Sequence, residues 1–286
     1  MRTVTTAREL RAEMSAHRMR GAGVGLVPTM GALHAGHQAL LARARDRHEV
    51  VVASVFVNPM QFERADDLAR YPRDPSRDRS VLEEASVDVC FSPSVDEMYP
   101  DGEPVVRVDP GPLGSVLEGA SRPGHFAGVA TVVAKLLALV APDAVYLGEK
   151  DFQQLVVVRR LVRDLSFPVG VVGCATVREP DGLALSSRNS RLSPAGRSAA
   201  TALHRALLAG AEAWRGGSDP ARCEQVVARE VSSEPLASLD YAVAVDDRLA
   251  SVSSTPPPPV GHAPARLLVA AVVEGIRLID NLEVGR

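Results

Sequence analysis

Through its first 176 residues the chain alternates short apolar runs with amphipathic segments, and this alternation strongly constrains its fold. The runs at 24–29, 51–58 and 144–148 are rich in valine and leucine, as buried strands are. The segments at 128–140 and 152–165 have the length and spacing of helices. Buried strands separated by helices are typical of a parallel sheet covered on both faces. Right-handed crossovers then predict a Rossmann-like, doubly wound α/β sheet.

Beyond residue 180 the pattern changes to helices followed by strands. Ser193 is the predicted N-cap, and Pro194 the first turn, of an Ala-rich helix that continues to Trp214. The remaining predicted elements are a helix near 220–231 and the strands 239–245, RLLVAAVV and IRLIDNLEV. The stretch around the four prolines 256–259 holds no regular element. We therefore expect a Rossmann-like domain over residues 1–177 and a smaller α+β domain over 178–286.

Composition excludes several classes of protein. With 46% hydrophobic and 23% charged residues, the chain has the composition expected of an ordinary soluble globular protein. Its net charge of −3 argues against a broad nucleic-acid surface. No apolar run is long enough to span a bilayer, and residues 1–14 lack a signal-peptide core, so we expect a cytoplasmic protein. Cys90 and Cys174 lie in apolar strands, where a thiol usually acts as a small hydrophobic group.

Two histidines follow the first long strand, in the stretch VPTMGALHAGHQ. In open α/β sheets ligands bind beyond the carboxyl ends of strands, where helix N-termini attract phosphate. Gly31 and Gly36 allow the backbone to approach a ligand closely. His34 and His37 would share one helical face and could donate to phosphate oxygens, cap the helix, or bind zinc. The zinc interpretation lacks an HExxH motif and a nearby cluster of carboxylates or thiols.

Similar polar groups follow other strands of the predicted sheet. They are Asn58 and Gln61; Arg122, Gly124 and His125; Gly148, Glu149, Lys150 and Asp151; Gln153 and Gln154; and Ser186, Ser187 and Arg188. Lys150 could neutralise phosphate and Asp151 could meet Mg²⁺, whereas the two early amides suit a small polar substrate. Each group alone could be a turn, a cap or a solvated charge. Their recurrence along one edge indicates a nucleotide site beside a site for a second polar ligand.

These motifs carry a family resemblance along nearly the whole chain. PTMGALHAGH resembles the HxGH signature of nucleotidylyltransferases and class I aminoacyl-tRNA synthetases. VNPMQF, YPRD, RPGHFAGVATVVAKL, GEKDFQQL, DGLALSSRNSRLS and ARLLVAAVVEGIRLIDN follow in the order of the pantoate–β-alanine ligase family. The resemblance implies that pantoate attacks ATP to give pantoyl adenylate and pyrophosphate. β-Alanine then attacks the adenylate, giving pantothenate and AMP.

The resemblance also implies roles for particular residues. His37, His34, Lys150 and Arg188 would be catalytic, with His37 stabilising the departing pyrophosphate. ATP would contact Met30, Gly31, Ala32, Leu33, His34, Ala35, Gly36, His37, Gly148, Glu149, Lys150, Asp151, Val177, Leu185, Ser186, Ser187 and Arg188. Pantoate would be held by Gln61 and Gln154, with Asn58 and Tyr71 nearby, and Arg122 and His125 would border the substrate entrance. Asp151 would lie near Mg²⁺, directly or through water.

The family further implies a homodimer formed through the N-terminal domain, and a C-terminal domain that closes over the ATP site. The chain departs from the usual motifs at Ala35, Asp74 and Arg191, none of which is among the catalytic residues of this assignment. Two alternatives stay open. One is a nucleotidylyltransferase of the same superfamily, for which the VNPMQF and DFQQ amides have little use. The other is a catalytically silent nucleotide-binding protein, which would be free to lose its histidines, Lys150 and Arg188.

Overall fold

The first compact unit of the chain is built on a six-stranded parallel sheet. The structure, a computed structural model, describes residues 1–62, 68–69, 71–253 and 265–285, so the four prolines 256–259 lie outside the described residues. The strands are β1 (Arg2–Val4), β2 (Val24–Thr29), β3 (Val50–Val55), β4 (Val89–Phe91), β5 (Ala144–Gly148) and β6 (Gly170–Cys174). Their order in the sheet is β1-β4-β3-β2-β5-β6, and each adjacent pair is parallel.

Helices connect these strands. They are α1 (Ala7–Met19), α2 (Ala35–Arg45), α3 (Pro75–Glu84), α4 (Val95–Met98), α5 (Glu118–Ser121), α6 (His125–Val140) and α7 (Phe152–Asp164). Short 3₁₀ turns occur at Pro59–Gln61, Gly111–Gly114 and Glu149–Asp151. The described residues contain no helix both long enough and apolar enough to cross a membrane.

The strand order confirms the doubly wound fold and locates its switch point. The chain runs from β2 outward to β3 and β4, then returns to place β5 on the other side of β2. Ligands of such sheets bind where the winding direction reverses, outside the carboxyl ends of the two central strands. In this sheet those ends are Thr29 and Gly148, which are followed by the histidine motif and the GEKD motif.

The core of the sheet is aliphatic, and the cysteines belong to it. Cys90 and Cys174 are buried free thiols, and burial raises the pKa of Cys174 and raises that of Cys90 to about 11. Such thiols stay protonated at neutral pH and are poor nucleophiles. This agrees with the structural interpretation of both residues.

Contacts assign the second unit to Lys150–Phe152 together with Thr176–Arg286, and the first to Met1–Glu149 with Gln153–Ala175. The second unit contains a 3₁₀ turn at Ser187–Arg191 and the helices α8 (Pro194–Ala200), α9 (Ala202–Arg215) and α10 (Pro220–Ser232). Its antiparallel sheet has the order β7 (Ala237–Val245), β8 (Ala265–Val273) and β9 (Ile276–Val284). The boundary predicted at 177/178 stays a prediction. The contact grouping adds the tripeptide Lys150–Phe152 to the C-terminal unit.

The start of the Ala-rich helix is confirmed, but its continuity is not. Ser193 caps α8 by accepting the Gly196 N–H at 3.0 Å, with Pro194 in the first turn. The single helix predicted to reach Trp214 is wrong, because the helix is interrupted at Thr201. The Thr201 hydroxyl donates to the Ser198 carbonyl at 2.7 Å. Such side-chain bonds to the preceding turn compete with the regular helical pattern.

Candidate functional site

The turn between β2 and α2 is held by a buried carboxylate. Asp78 on α3 is 4% exposed and accepts two backbone hydrogen bonds, from Ala32 N–H at 3.0 Å and from Leu33 N–H at 2.7 Å. Gly31 has a φ of 79°, and a β-carbon there would lie 2.7 Å from the Asp78 carboxylate. The close approach therefore requires glycine. Sequence reasoning missed Asp78, which is 46 positions from its partner Ala32.

His34 and His37 form a reciprocal cap at the start of α2. His34 is the N-cap residue, and its Nδ1 accepts the Gly36 N–H at 3.1 Å. His37 Nδ1 accepts the His34 N–H at 3.3 Å, and the two ring centroids are 4.2 Å apart. A neutral imidazole that accepts at Nδ1 carries its hydrogen on Nε2. In both rings the cap uses Nδ1 and leaves the hydrogen on Nε2, so a capping role does not exclude a role for Nε2–H as a donor to an anion.

Gln61 lies in the 3₁₀ turn after β3, and Asn58 fixes its side-chain orientation. Asn58 is fully buried; its Oδ1 accepts the Met60 N–H, and its Nδ2 donates to the Gly128 carbonyl at 3.1 Å. Those backbone partners determine which Asn58 atom is nitrogen. The same Nδ2 donates to Gln61 Oε1 at 3.0 Å. The Gln61 amide nitrogen is therefore the opposite atom of the group, and it has no hydrogen-bond acceptor among the described residues.

Tyr99 completes the hydrogen bonding of Asn58. Its hydroxyl donates to Asn58 Oδ1 at 3.0 Å, and burial raises its pKa to about 12, so the donor stays protonated. Asn58 now makes two donor and two acceptor contacts, which is the full capacity of an amide group. Its side chain is thus fully engaged within the protein and orients Gln61.

Arg122 and His125 hold the backbone of Gln61. Arg122 donates to the Gln61 carbonyl at 3.0 Å, and His125 Nδ1 lies 2.9 Å from the same oxygen. A carbonyl only accepts, so His125 is the Nδ1–H tautomer, and its Nε2 accepts from Arg122 at 3.2 Å. The structure therefore brings three predicted site residues, Arg122, His125 and Asn58, around a fourth, Gln61.

The other predicted amide and aromatic residues differ in their surroundings. Gln153 is 3% exposed and bonds to the carbonyls of Leu113 and Val116, both at 2.8 Å, so it is structural. Gln154 is half-buried in the first turn of α7, and its side chain makes no hydrogen bond among the described residues. The ring of Tyr71 packs edge-to-face on Phe62 with 5.6 Å between centroids.

In the second unit, Lys150 lies in the 3₁₀ turn Glu149–Asp151. Its ammonium is 3.7 Å from the Asp151 carboxylate, which is half exposed. The Lys150 carbonyl accepts a hydrogen bond of 2.9 Å from Asn281 on β9. The described residues contain no group of three His, Cys, Asp or Glu that could hold a metal ion by themselves.

The DGLALSSRN segment forms a narrow hairpin and then the 3₁₀ turn. Leu185 N–H donates to the Val177 carbonyl at 3.0 Å, which brings these two predicted ATP contacts together. Ser186 caps the turn by accepting the Arg188 N–H at 3.2 Å. The Arg188 guanidinium donates to the Arg277 carbonyl at 3.2 Å. The capping alternative considered for this serine is therefore realised, and Arg188 is tethered to β9.

Comparison with known proteins gives consistent similarities. A family model described as pantoate-beta-alanine ligase matches residues 2–283. A pantothenate synthetase of Thermus thermophilus is 52% identical over 286 residues, which cover 99% of each chain. A pantothenate synthetase of Nocardioides sp. is 52% identical over 283 residues, which cover 97% of this chain and 83% of that one. A crystal structure of pantothenate synthetase from Thermus thermophilus aligns over the full length of both chains, at 52% identity and a TM-score of 0.91. A pantoate-beta-alanine ligase from Francisella tularensis, crystallised with beta-gamma ATP and beta-alanine, aligns over 99% of this chain and 97% of that one, at 34% identity and a TM-score of 0.80.

Proposed function

Because this chain belongs to the pantoate–β-alanine ligase family, we propose that the residues described above perform the ATP-dependent joining of pantoate to β-alanine. The products are pantothenate, AMP and pyrophosphate. The observation that carries this function is the family match over residues 2–283, which includes every motif quoted above. The nucleotidylyltransferase alternative accounts for the HxGH motif but has little use for the VNPMQF and DFQQ amides.

The reaction divides into two substitutions. A carboxylate oxygen of pantoate attacks the α-phosphorus of ATP, the bond to the β-phosphate oxygen breaks, and pyrophosphate leaves. The β-alanine amine then attacks the acyl carbon, the bond to AMP breaks, and the amine loses a proton. Neither step forms a bond to the protein, so catalysis depends on positioning and on stabilisation of charge.

His34 and His37 are proposed to bind the phosphates of ATP. Their Nε2–H donors lie at the N-terminus of α2, whose dipole favours negative charge. Fixed donors of this kind are most effective where charge develops, here on the departing pyrophosphate. The turn Met30–Gly36, held by Asp78, supplies further contacts to the nucleotide in this proposal.

Lys150 is proposed to neutralise phosphate, with Arg188 as a second cation and Ser186 and Ser187 as hydroxyl donors. Composition supports the role of Lys150. Of the 32 lysines and arginines, only Lys135 and Lys150 are lysine, so this chain uses arginine for nearly every other cation. An ammonium is a compact point charge, whereas a guanidinium is a planar fork, and the two do not replace one another at a close contact.

We propose that ATP binds as its Mg²⁺ complex and that Asp151 is the carboxylate nearest the metal. Mg²⁺ usually keeps several waters and takes one or two carboxylates together with substrate phosphates. The half-exposed Asp151 beside Lys150 fits that requirement, since such a metal needs no three-residue cage. The metal would offset phosphate charge during pyrophosphate departure.

Pantoate is proposed to bind at Gln61, with Gln154 as a second amide and Tyr71 nearby. Asn58 donates to Gln61 Oε1, so the Gln61 NH₂ group is the part of the amide that can donate to a substrate. Such a donor suits a carboxylate or hydroxyl oxygen. Arg122 and His125 act from the other side by holding the Gln61 carbonyl. We assign Asn58, Arg122 and His125 to the positioning of Gln61.

Gln61→Ala is expected to raise the pantoate KM by about 10-fold or more while changing the ATP KM little. The variant removes a donor to pantoate and leaves Asn58 without one partner, and a lost hydrogen bond to a charged group is worth about 1.5–3 kcal/mol. Steady-state kinetics with each substrate varied in turn provides the measurement. Gln153→Ala, which alters a structural amide, is the matched control for stability. An unchanged pantoate KM in Gln61→Ala would show that pantoate binds elsewhere.

Assembly and location follow as further proposals. Family membership supports a homodimer formed through the N-terminal unit, which sedimentation would test. The three cysteines are all free and buried, which fits a reducing compartment such as the cytoplasm.

The function is tested by measuring pyrophosphate release from ATP and Mg²⁺ in the presence of pantoate. A single burst without β-alanine, followed by steady turnover once it is added, is the expected result. A phosphate-bearing acceptor that replaces pantoate would favour a nucleotidylyltransferase. ATP binding without pyrophosphate release under any of these conditions would favour a silent nucleotide-binding protein.

A further inference from the structure

Lys150 belongs by sequence to the end of β5, yet its backbone is bound by the C-terminal sheet. Asn281 on β9, 131 positions later, donates to the Lys150 carbonyl at 2.9 Å. Lys150–Phe152 also groups by contacts with Thr176–Arg286. The turn that carries the lysine is thus hydrogen-bonded to β9, the strand that also accepts a hydrogen bond from Arg188.

The orientation of Asn281 is determined by Arg266 on β8. The Arg266 guanidinium, which can only donate, lies 2.7 Å from Asn281 Oδ1. The remaining atom of the Asn281 amide is therefore the NH₂ group, which faces Lys150. Asn281 is 3% exposed and Arg266 is 9% exposed. Replacing either side chain would therefore remove a hydrogen-bond partner from a buried polar group of the other, which costs free energy of folding.

Arg266 also contacts Phe152, two residues after the lysine. Its guanidinium lies over the ring of Phe152 at 4.5 Å and pairs with Glu283 at 3.3 Å. A cation over an aromatic face is attractive, more so when it is shielded from water. Lys150 and Phe152, on either side of Asp151, are thus both held by the β8–β9 pair.

Strand β9, which carries Asn281, is held in place by a buried ion pair at the neighbouring residue. Asp280 is 4% exposed and accepts both arms of the Arg178 guanidinium, at 2.6 and 2.9 Å, as well as the Asn281 N–H at 2.7 Å. Bidentate Arg–carboxylate pairs have a specific geometry as well as strength. The position of Asn281 is therefore determined by several charge-assisted bonds.

We propose that Asn281, oriented by Arg266, is a positioning residue that sets the location of the Lys150 ammonium for phosphate binding. The inference rests on the proposed function, because it assigns Lys150 to ATP. It gives the C-terminal RLIDN segment a role in adenylate formation, exerted through the backbone of another residue.

Asn281→Asp is the most direct test. The aspartate has nearly the same shape and still accepts from Arg266, but it cannot donate to the Lys150 carbonyl. The rate of pyrophosphate release is expected to fall about 10-fold or more, since displacements of about 1 Å at a reacting centre can cost up to ~10²-fold. The pantoate KM is expected to stay unchanged, because Gln61 is untouched.

A double-mutant cycle separates positioning from simple destabilisation. Lys150→Ala removes the ammonium but keeps the carbonyl that Asn281 binds. In that background Asn281→Asp is expected to lower Tm as much as in wild type but to slow pyrophosphate release no further. A further loss of rate in the double variant would show that Asn281 acts independently of Lys150 and would overturn the proposal.

Glu274→Ala is the matched control on the same pair of strands. Glu274 lies in the turn between β8 and β9, where it accepts from the Ser193 N–H at 3.0 Å and from its hydroxyl at 2.6 Å. Its replacement is expected to lower Tm by an amount comparable to the effect of Asn281→Asp, with no change in rate. A fall in rate as large as that of Asn281→Asp would show that the rate simply follows stability.

Hydrogen exchange tests the positioning contact without using the reaction. The peptide covering 148–154 is expected to exchange faster in Asn281→Asp than in wild type or Glu274→Ala. Unchanged exchange would overturn the proposal whatever the activities are. Absence of pyrophosphate release from the wild-type protein would instead contradict the proposed function, and accelerated exchange would then support the tether alone.

Discussion

Replacement of Lys150 or His37 by alanine is expected to slow pyrophosphate release by at least ~10²-fold while leaving the protein folded. The two side chains are proposed to meet the negative charge that develops as pyrophosphate departs. A fixed donor aimed at such charge is worth about 2.7–4 kcal/mol, which corresponds to that loss of rate. Single-turnover measurement with ATP, Mg²⁺ and pantoate isolates this step from the later attack by β-alanine.

Two variants outside the proposed site serve as controls for these substitutions. His17→Ala removes a largely buried histidine of α1 that lies 3.5 Å from the Glu13 carboxylate, and Arg160→Ala removes a cation from a surface pair on α7. Neither side chain has a part in the proposed reaction, so both controls are expected to keep wild-type rates, and the exposed Arg160 pair contributes only about 0–1 kcal/mol to stability. Near-normal pyrophosphate release in Lys150→Ala and His37→Ala would contradict both assignments.

Lys150→Arg tests whether position 150 requires an ammonium group or only a positive charge. If charge alone mattered, arginine would restore the rate, since it is always protonated. We expect the variant to remain well below wild type, because the larger planar group cannot occupy the place of an ammonium in a turn held at 2.9 Å by Asn281. Full activity in Lys150→Arg would show that position 150 requires only a positive charge and not lysine itself.

The fold was predictable where local pattern and tertiary structure agree. The predicted strands 24–29 and 144–148 coincide with β2 and β5, because each is a fully apolar run that ends at a proline, glycine or polar turn. β1 was missed because three residues carry no periodic signal. The capping box of Thr6 and Glu9 at the start of α1 was present in the sequence and could have identified that helix.

The location of the site could be predicted from the sequence, but the contacts within the site could not. The rule that ligands bind at strand carboxyl ends indicated His34, Gln61 and Lys150, each of which follows a central strand. Their supporting partners lie far away along the chain: Asp78 is 46 positions from Ala32, and Asn281 is 131 from Lys150. A single buried carboxylate or amide has no periodic or motif signal, because its role depends on which elements the fold brings beside it. Such residues therefore become visible only in the structure.

Gly128→Ala is expected to lower kcat/KM for pantoate by up to about 10²-fold and to destabilise the first unit by about 1–3 kcal/mol. Gly128 lies in α6 against the 3₁₀ turn that carries Gln61. A β-carbon at this position would lie 2.3 Å from the Met60 carbonyl oxygen and 3.0 Å from the Gln61 nitrogen, whereas ordinary contacts begin at 3.4 Å. The turn and the helix must therefore separate by about 1 Å, and the obstructing atoms are backbone, which cannot rotate away.

The separation would act directly on pantoate recognition. The Gly128 carbonyl accepts from Asn58 Nδ2, which also orients the Gln61 amide, so a shift of α6 disturbs both bonds. Ala138→Gly, at an exposed position of the same helix, lowers helix stability by about 1 kcal/mol without a clash and serves as the control. Comparing the pantoate KM of the two variants, for an equal loss of Tm, separates the effect of the displaced Gln61 turn from the effect of lower helix stability. Equal pantoate KM values in the two variants would mean that the contact between α6 and the Gln61 turn has no part in substrate binding.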